Sequence, residues 1–214
     1  IRMPHDVDIR HAALTEPLAC CIHSIRKARL KFGDTVVIIG MGIMGYFHVK
    51  LAQMCGARII VSETDEEKRK TAIREGAAYA FDPSQCDVGE EIRRLTDGLG
   101  ADAVINTIPF KEVWQQAIDM LAPYGRLIAY STQNSKEPIG VDFGMVHSRE
   151  IEFIGTLNPT IEDNQMAVKL IGYQMIDMEK VIDREFSFAQ GKEAFDYACK
   201  PSVYRVMINY GKED

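Results

Sequence analysis

The chain has 214 residues, with 31 Asp and Glu against 25 Lys and Arg and a net charge of −6. That acidic balance excludes the basic stripe a nucleic-acid surface needs, and hydrophobic and charged shares of 46% and 26% are those of a globular protein rather than a disordered one. The length suffices for one good-sized domain, or for one domain and part of another.

The opening, Ile1-Arg2-Met3-Pro4-His5-Asp6, has no apolar h-region, so no signal peptide is expected. The most apolar stretch, Val36 to Val49, is too short to span a bilayer and is interrupted by Gly40, Gly42 and Gly45. The five cysteines lack metal-ligand spacing: Cys20 and Cys21 are adjacent, whereas Cys55, Cys86 and Cys199 are scattered. Free thiols in a reducing compartment, and hence a soluble cytoplasmic protein, are expected.

Glu16-Pro17 reads as the first turn of a helix that carries His23, followed by a turn at Gly33-Asp34. Short β-branched runs then alternate with longer stretches of helical spacing. Strands are expected at Thr35–Ile39, Arg58–Val61, Ala103–Ile105 and Arg126–Ala129, with a weaker one at Ala78–Phe81. Helices are expected at Met44–Cys55, Asp65–Glu75, Val88–Thr96 and Lys111–Leu121. Thr64 and Glu67 have capping-box spacing, and Gly56 and Gly76 stand where a helix would stop. The mixed-sign run Asp65 to Lys70 reads as a solvated helix face. The strands are continuous apolar runs, as in a parallel sheet covered on both faces, so the pattern predicts a doubly wound α/β fold. After about Gly140 the alternation weakens. Strands at Ile151–Leu157, Val181–Phe188 and Tyr204–Ile208 and helices at Ile161–Met175 and Gln190–Cys199 are expected there, and this tail need not belong to the same domain.

The chemistry is concentrated at Gly40-Met41-Gly42-Ile43-Met44-Gly45, a G-x-G-x-x-G run between a strand and a helix. Gly40 would make the tight turn, Gly42 would admit a pyrophosphate, and Gly45 would let the helix pack on the strand. The N–H groups of Ile43 and Met44, at the positive end of the helix, would face the phosphates. The second half of the fingerprint is Glu63, which ends the next strand 18 residues past Gly45. A carboxylate there accepts the adenosine ribose hydroxyls and repels a 2′-phosphate, so NAD is expected; Thr64 flanks it, and Lys68 and Arg69 lie one helical turn on.

With these residues in hand, the sequence resembles the medium-chain dehydrogenase/reductase superfamily, and within it the zinc-dependent alcohol and polyol dehydrogenases of the sorbitol- and threonine-dehydrogenase-like branch. The likeness runs through Thr15–Cys20, Gly33–Gly40, Glu75-Gly76-Ala77, Gly98–Val104, Gly125–Ile128 and Glu150–Gly155. It continues in the ending from Phe188 through Phe195 to Arg205-Val206-Met207. The resemblance implies a Rossmann domain over residues 23–155, flanked by segments of an incomplete GroES-like catalytic domain. Residues 1–22 would be the exit segment of that domain and residues 156–214 the segment returning to it.

It implies hydride transfer between a small alcohol or polyol and NAD. A catalytic zinc would be held mainly by an N-terminal segment outside this sequence, so the chain alone is expected not to turn over. Glu16 matches an acidic position near that zinc, and equally reads as an acid favoured by its own helix dipole. Thr107-Ile108 and Tyr130-Ser131 match positions near the nicotinamide ribose, and Thr156 and Leu157 a segment facing the carboxamide. Arg205 matches a basic residue that reaches the pyrophosphate, or is a solvent-facing strand residue. The chain departs from the family at Pro109 and Tyr130-Ser131, where glycine-rich turns are common. Relatives also imply a homo-oligomer paired through an edge strand, for which Ile139–Phe143 is the candidate.

Among the histidines, His48 reads as an outward polar residue of the helix after the fingerprint and His23 as a packing or capping residue. His5, His11 and His147 fall in loops or element ends. Trp114 and the methionine-rich helices read as core. Two other functions share the fold: a zinc-free NADPH-dependent quinone or enoyl reductase, against which Glu63 speaks, and a non-catalytic NAD(H) sensor, which would need neither Glu16 nor the tail.

Overall fold

The computed structural model describes residues 1–4 and 7–211; His5 lies outside the described residues. In chain order the elements are α1 Ile9–Ala12, α2 Thr15–Ala28, β1 Thr35–Ile39, α3 Ile43–Met54, β2 Arg58–Ser62, α4 Glu66–Arg74, β3 Tyr79–Phe81 and α5 Val88–Leu95. Then follow β4 Ala101–Asn106, α6 Lys111–Asp119, β5 Leu121–Ala129, α7 Phe143–Arg149, β6 Glu152–Gly155 and α8 Ile161–Gly172. A 3-10 turn at Met178–Val181 precedes β7 Arg184–Ser187, and a second, Phe188–Gln190, leads into α9 Gly191–Ala198 and β8 Val206–Asn209. The chain divides into two compact units, residues 20–158 and residues 1–19 with 159–214.

The unit of residues 20–158 holds a six-stranded sheet in the order β3-β2-β1-β4-β5-β6, parallel throughout. Strand β1, at its centre, is buried at all five positions because both faces are covered. Alternate residues of β1 serve opposite faces. Val37 and Ile39 join the core formed with Ile92 of α5 and Trp114 of α6. Ile38 points the other way, toward α3 at Gly45. The order reverses between β1 and β4, so the crevice a doubly wound sheet offers to a ligand opens at the carboxyl ends of these two strands.

Local chemistry fixes the helix ends. Gly56 and Gly76 stop α3 and α4 with φ of +72° and +114°. The capping box expected at Thr64 and Glu67 is not formed. Asp65 caps α4 instead, its carboxylate accepting from the Lys68 N–H at 2.9 Å, while the Thr64 hydroxyl donates to Glu63. The edge strand expected at Ile139–Phe143 is also absent. Asp142 caps α7 there, accepting from the N–H groups of Gly144 and Met145, and the sheet edge is β6. Arg126 of β5 is buried and pairs with Asp34 at 2.8 Å, while also donating to the carbonyls of Arg29 and Asp102.

In the other unit, β7 and β8 form a parallel pair joined through α9. Val181 belongs to the preceding 3-10 turn, so the strand read from it starts only at Arg184. Helix α8 opens on a capping box between Thr160 and Asp163. Arg10 ties Asp8 to Glu179, which also accepts from or pairs with His11 at 2.8 Å. Among the described residues, no helix is long and apolar enough to cross a membrane.

Candidate dinucleotide site

The glycine run lies between β1 and α3, at the reversal point of the sheet. Gly40 has φ +92°, a region that disfavours any side chain, and a Cβ on it would meet the Thr107 hydroxyl at 2.6 Å and Ile108 at 2.7 Å. A Cβ on Gly45 would lie 2.0 Å from the Gly40 carbonyl oxygen, so glycine is what lets α3 approach β1. The fold therefore requires both. Gly42 is different: a Cβ there would meet nothing within 4 Å, and its φ of −70° and ψ of −172° suit any residue. No side chain caps α3 at Gly42. The Ile43 and Met44 N–H groups of its first turn are left at the positive end of a twelve-residue helix.

Glu63 follows β2 and is half-buried. One carboxylate oxygen accepts from the Met41 N–H at 2.6 Å, and the other from the Asp65 N–H at 2.9 Å and the Thr64 hydroxyl at 3.2 Å. The acid thus bends back over the glycine loop, and with about four lone-pair sites on a carboxylate it keeps capacity for a further donor. Lys68 lies on the first turns of α4.

The ends of β4, β5 and β6 complete the crevice. The Thr107 hydroxyl donates to the Ile39 carbonyl at 2.7 Å, which holds Thr107 and Ile108 over Gly40. Ser131 donates its N–H to the Asn106 carbonyl, and Thr156 to that of Ala129. Leu157 is exposed. Gly40, Gly42, Glu63, Thr64, Thr107, Ile108, Tyr130, Ser131, Thr156 and Leu157 therefore fall at or just past the carboxyl ends of strands of one sheet, and Ile43, Met44, Gly45 and Lys68 lie in the first turns of the helices that follow two of them. Arg205 belongs to the other unit, where its N–H donates to Asp183. Glu16 is exposed in the first turn of α2.

One residue here escapes sequence reading. Asn106 ends β4 fully buried; its amide oxygen accepts from the Ile108 N–H, while its Nδ2 has no partner. The Ser131 hydroxyl beside it is unpartnered too. Polar groups left unsatisfied out of water cost about 1–3 kcal/mol each, so their concentration at the crevice fits a polar ligand.

His48 corrects an expectation. It does not face outward but is fully buried, because α3 is covered on that side as well. Nδ1 lies 2.7 Å from the Met44 carbonyl, which can only accept, so Nδ1 carries the proton and Nε2 accepts from the Ser24 hydroxyl at 2.9 Å. Burial pushes its pKa down to about 4, so the ring is neutral at pH 7 and carries no charge toward the crevice. The ring stands edge-on to Tyr130, centroids 4.7 Å apart, and the Tyr130 hydroxyl donates to the Met44 sulfur at 3.1 Å. Tyr130 is thereby fixed between α3 and the end of β5.

These features define a doubly wound α/β module with a glycine-lined crevice at the reversal point of its sheet, and comparison with known proteins gives its family. Residues 40–172 match the family model described as zinc-binding dehydrogenase, and the chain belongs to that family. It is 30% identical over 208 residues to sorbitol dehydrogenase of Halalkalibacterium halodurans, covering 96% of this chain and 60% of the relative. With D-arabitol-phosphate dehydrogenase of Enterococcus avium the identity is 26% over 215 residues, covering 99% and 61%. A solved protein of Sinorhizobium meliloti 1021, described as a zinc-binding dehydrogenase bound to NADP, superposes with a TM-score of 0.91 at 26% identity, covering 97% of this chain and 61% of the other. The chain thus spans about three fifths of the length of the relatives it matches.

Proposed function

We propose that this chain is the NAD(H)-binding part of a zinc-dependent dehydrogenase that transfers hydride between a small alcohol or polyol and NAD. The observation that carries the reading is Gly42. The fold accounts for Gly40 and Gly45 but gives no reason for a third glycine, whereas a pyrophosphate against the backbone does.

Bound there, NAD(H) supplies the hydride acceptor or donor. The chain's own residues seat and orient it. Ile43 and Met44 offer N–H donors to the pyrophosphate, and Glu63, flanked by Thr64 and Lys68, takes the adenosine ribose. Thr107, Ile108, Tyr130, Ser131, Thr156 and Leu157 line the nicotinamide end. NAD rather than NADP is favoured because a 2′-phosphate would meet the Glu63 carboxylate.

The zinc is a different matter. A catalytic zinc takes three protein ligands as a rule. Among the described residues, the one cluster of three potential ligands is Asp8, His11 and Glu179, which Arg10 already occupies and which omits Glu16. The donors among the described residues do not make a zinc site, and no step is routed through the metal. Glu16 remains a ligand candidate only in a longer protein that brings the other donors. The domain assignment follows the same reading: residues 23–155 as the cofactor domain, and residues 1–22 and 156–214 as flanking segments of a catalytic domain, in a cytoplasmic homo-oligomer.

The test is a Gly42→Val variant followed by nicotinamide fluorescence. A folded variant that no longer binds NADH supports the reading, and unaltered binding refutes it.

A further inference from the structure

Arg69, on the first turns of α4, does not extend into solvent. Its Nη1 donates to the carbonyl oxygens of Glu63 at 2.8 Å and Thr64 at 2.7 Å. The same nitrogen lies 3.1 Å from Oδ2 of Asp82, the first residue past β3. The two side chains are only 19% and 17% exposed, so water competes weakly for this pair. Asp82 is itself fixed, its Oδ1 accepting from the Ser84 N–H at 2.9 Å and the Ser84 hydroxyl at 2.6 Å. These bonds, with the guanidinium nearby, hold its carboxyl below the usual carboxylate range and keep it ionised at neutral pH.

The two strands are stitched at this level, since the Glu63 N–H donates to the Phe81 carbonyl at 3.0 Å. Asp82, Arg69 and the Glu63-Thr64 backbone therefore form one connected unit, built on the residue whose carboxylate bends back to Met41. A 2′-phosphate is best bound by a guanidinium presenting its donors as a fork. Here Asp82 and two carbonyls draw the guanidinium toward the strand ends, and its cation neutralises Asp82 rather than an incoming phosphate.

We propose that Asp82 is a cofactor-selecting residue that acts through Arg69: it anchors the guanidinium on the loop that presents Glu63, which braces the ribose-binding acid and withholds the cation from a 2′-phosphate. This rests on the dinucleotide reading above, and deepens it by naming a positioning pair that excludes NADP.

The experiment titrates the chain and its variants with NADH and NADPH in parallel, with thermal melting as a check on folding. Wild type is expected to favour NADH. Asp82→Asn should raise the NADPH-to-NADH affinity ratio about tenfold, the effect of releasing one charge-assisted donor. The double variant Asp82→Asn/Arg69→Gln should return the ratio to the wild-type value. A folded Asp82→Asn chain with an unchanged ratio overturns the proposal, as does a raised ratio that persists in the double variant, since the cation would then not be Arg69. If Asp82→Asn does not fold, Ser84→Ala decides. It loosens Asp82 without removing it, and must move the ratio in the same direction or the proposal fails. Wild type favouring NADPH overturns the proposal while leaving a dinucleotide site, whereas wild type binding neither removes the cofactor reading and this inference together.

Discussion

Two glycines three residues apart should respond to substitution in opposite ways. Gly45→Ala places a Cβ 2.0 Å from the Gly40 carbonyl oxygen and 2.9 Å from its carbon. Both atoms are backbone, so no side chain can swing away and α3 must retreat from β1. Overpacking of this kind costs about 3 kcal/mol, the upper part of its usual range. At about 2–4 °C per kcal/mol for a chain of this size, the melting temperature should fall by roughly 6–12 °C. Gly42→Val meets no atom within 4 Å and keeps an allowed backbone, so its stability should stay within about 1 kcal/mol of wild type. Its isopropyl group nevertheless fills the space a pyrophosphate needs, and NADH affinity should drop at least about 100-fold, or about 2.7 kcal/mol. Urea denaturation and NADH fluorescence titration on both variants separate the effects. A Gly42→Val chain that binds NADH like wild type, or a Gly45→Ala chain as stable as wild type, would refute the division of roles.

Other variants test the scaffold around the site. His48 is held neutral with a pKa of about 4 against an ordinary 6.5, so stability should be complete above pH 6.5 and decline as pH falls toward 4, by about 3 kcal/mol in all. Urea denaturation from pH 7 to pH 4.5 should show this slope in wild type and a shallower one in His48→Gln; equal slopes would place the titration elsewhere. Arg126→Met leaves Asp34 partly buried without its partner and should cost about 3 kcal/mol, whereas a loss below 1 kcal/mol would mean that water replaces the pair. Asp65→Ala removes the cap of α4 and should cost about 1 kcal/mol; Thr64→Ala should cost less, and the reverse ranking would restore the capping box to Thr64.

Much of the fold and the position of the glycine loop was legible because the signals are local. Strand β1 is a contiguous apolar run, the three glycines follow it directly, and Glu63 ends the next such run, so spacing alone orders them. What escaped depends on contacts distant in sequence. His48 shows helical spacing and a polar ring, and nothing local reveals that Ser24 and Tyr130 close over it. Asn106 looks like an ordinary strand end until its burial leaves an amide unpaired. Ile139, Val141 and Phe143 alternate as a strand would, yet Asp142 caps a helix at the same point, and two short-range signals cannot be ranked without the packing. Thr64 and Asp65 both had a partner three residues on, and the choice fell to Asp65 because Thr64 donates to Glu63.

On this reading the chain seats NAD(H) through Gly42 and Glu63. Parallel titration of the unmodified chain with NADH and NADPH tests it most directly. Saturable NADH binding well ahead of NADPH is expected, with the preference lost in Glu63→Gln. Equal or reversed preference would contradict the role of Glu63, and binding of neither would contradict the claim as a whole.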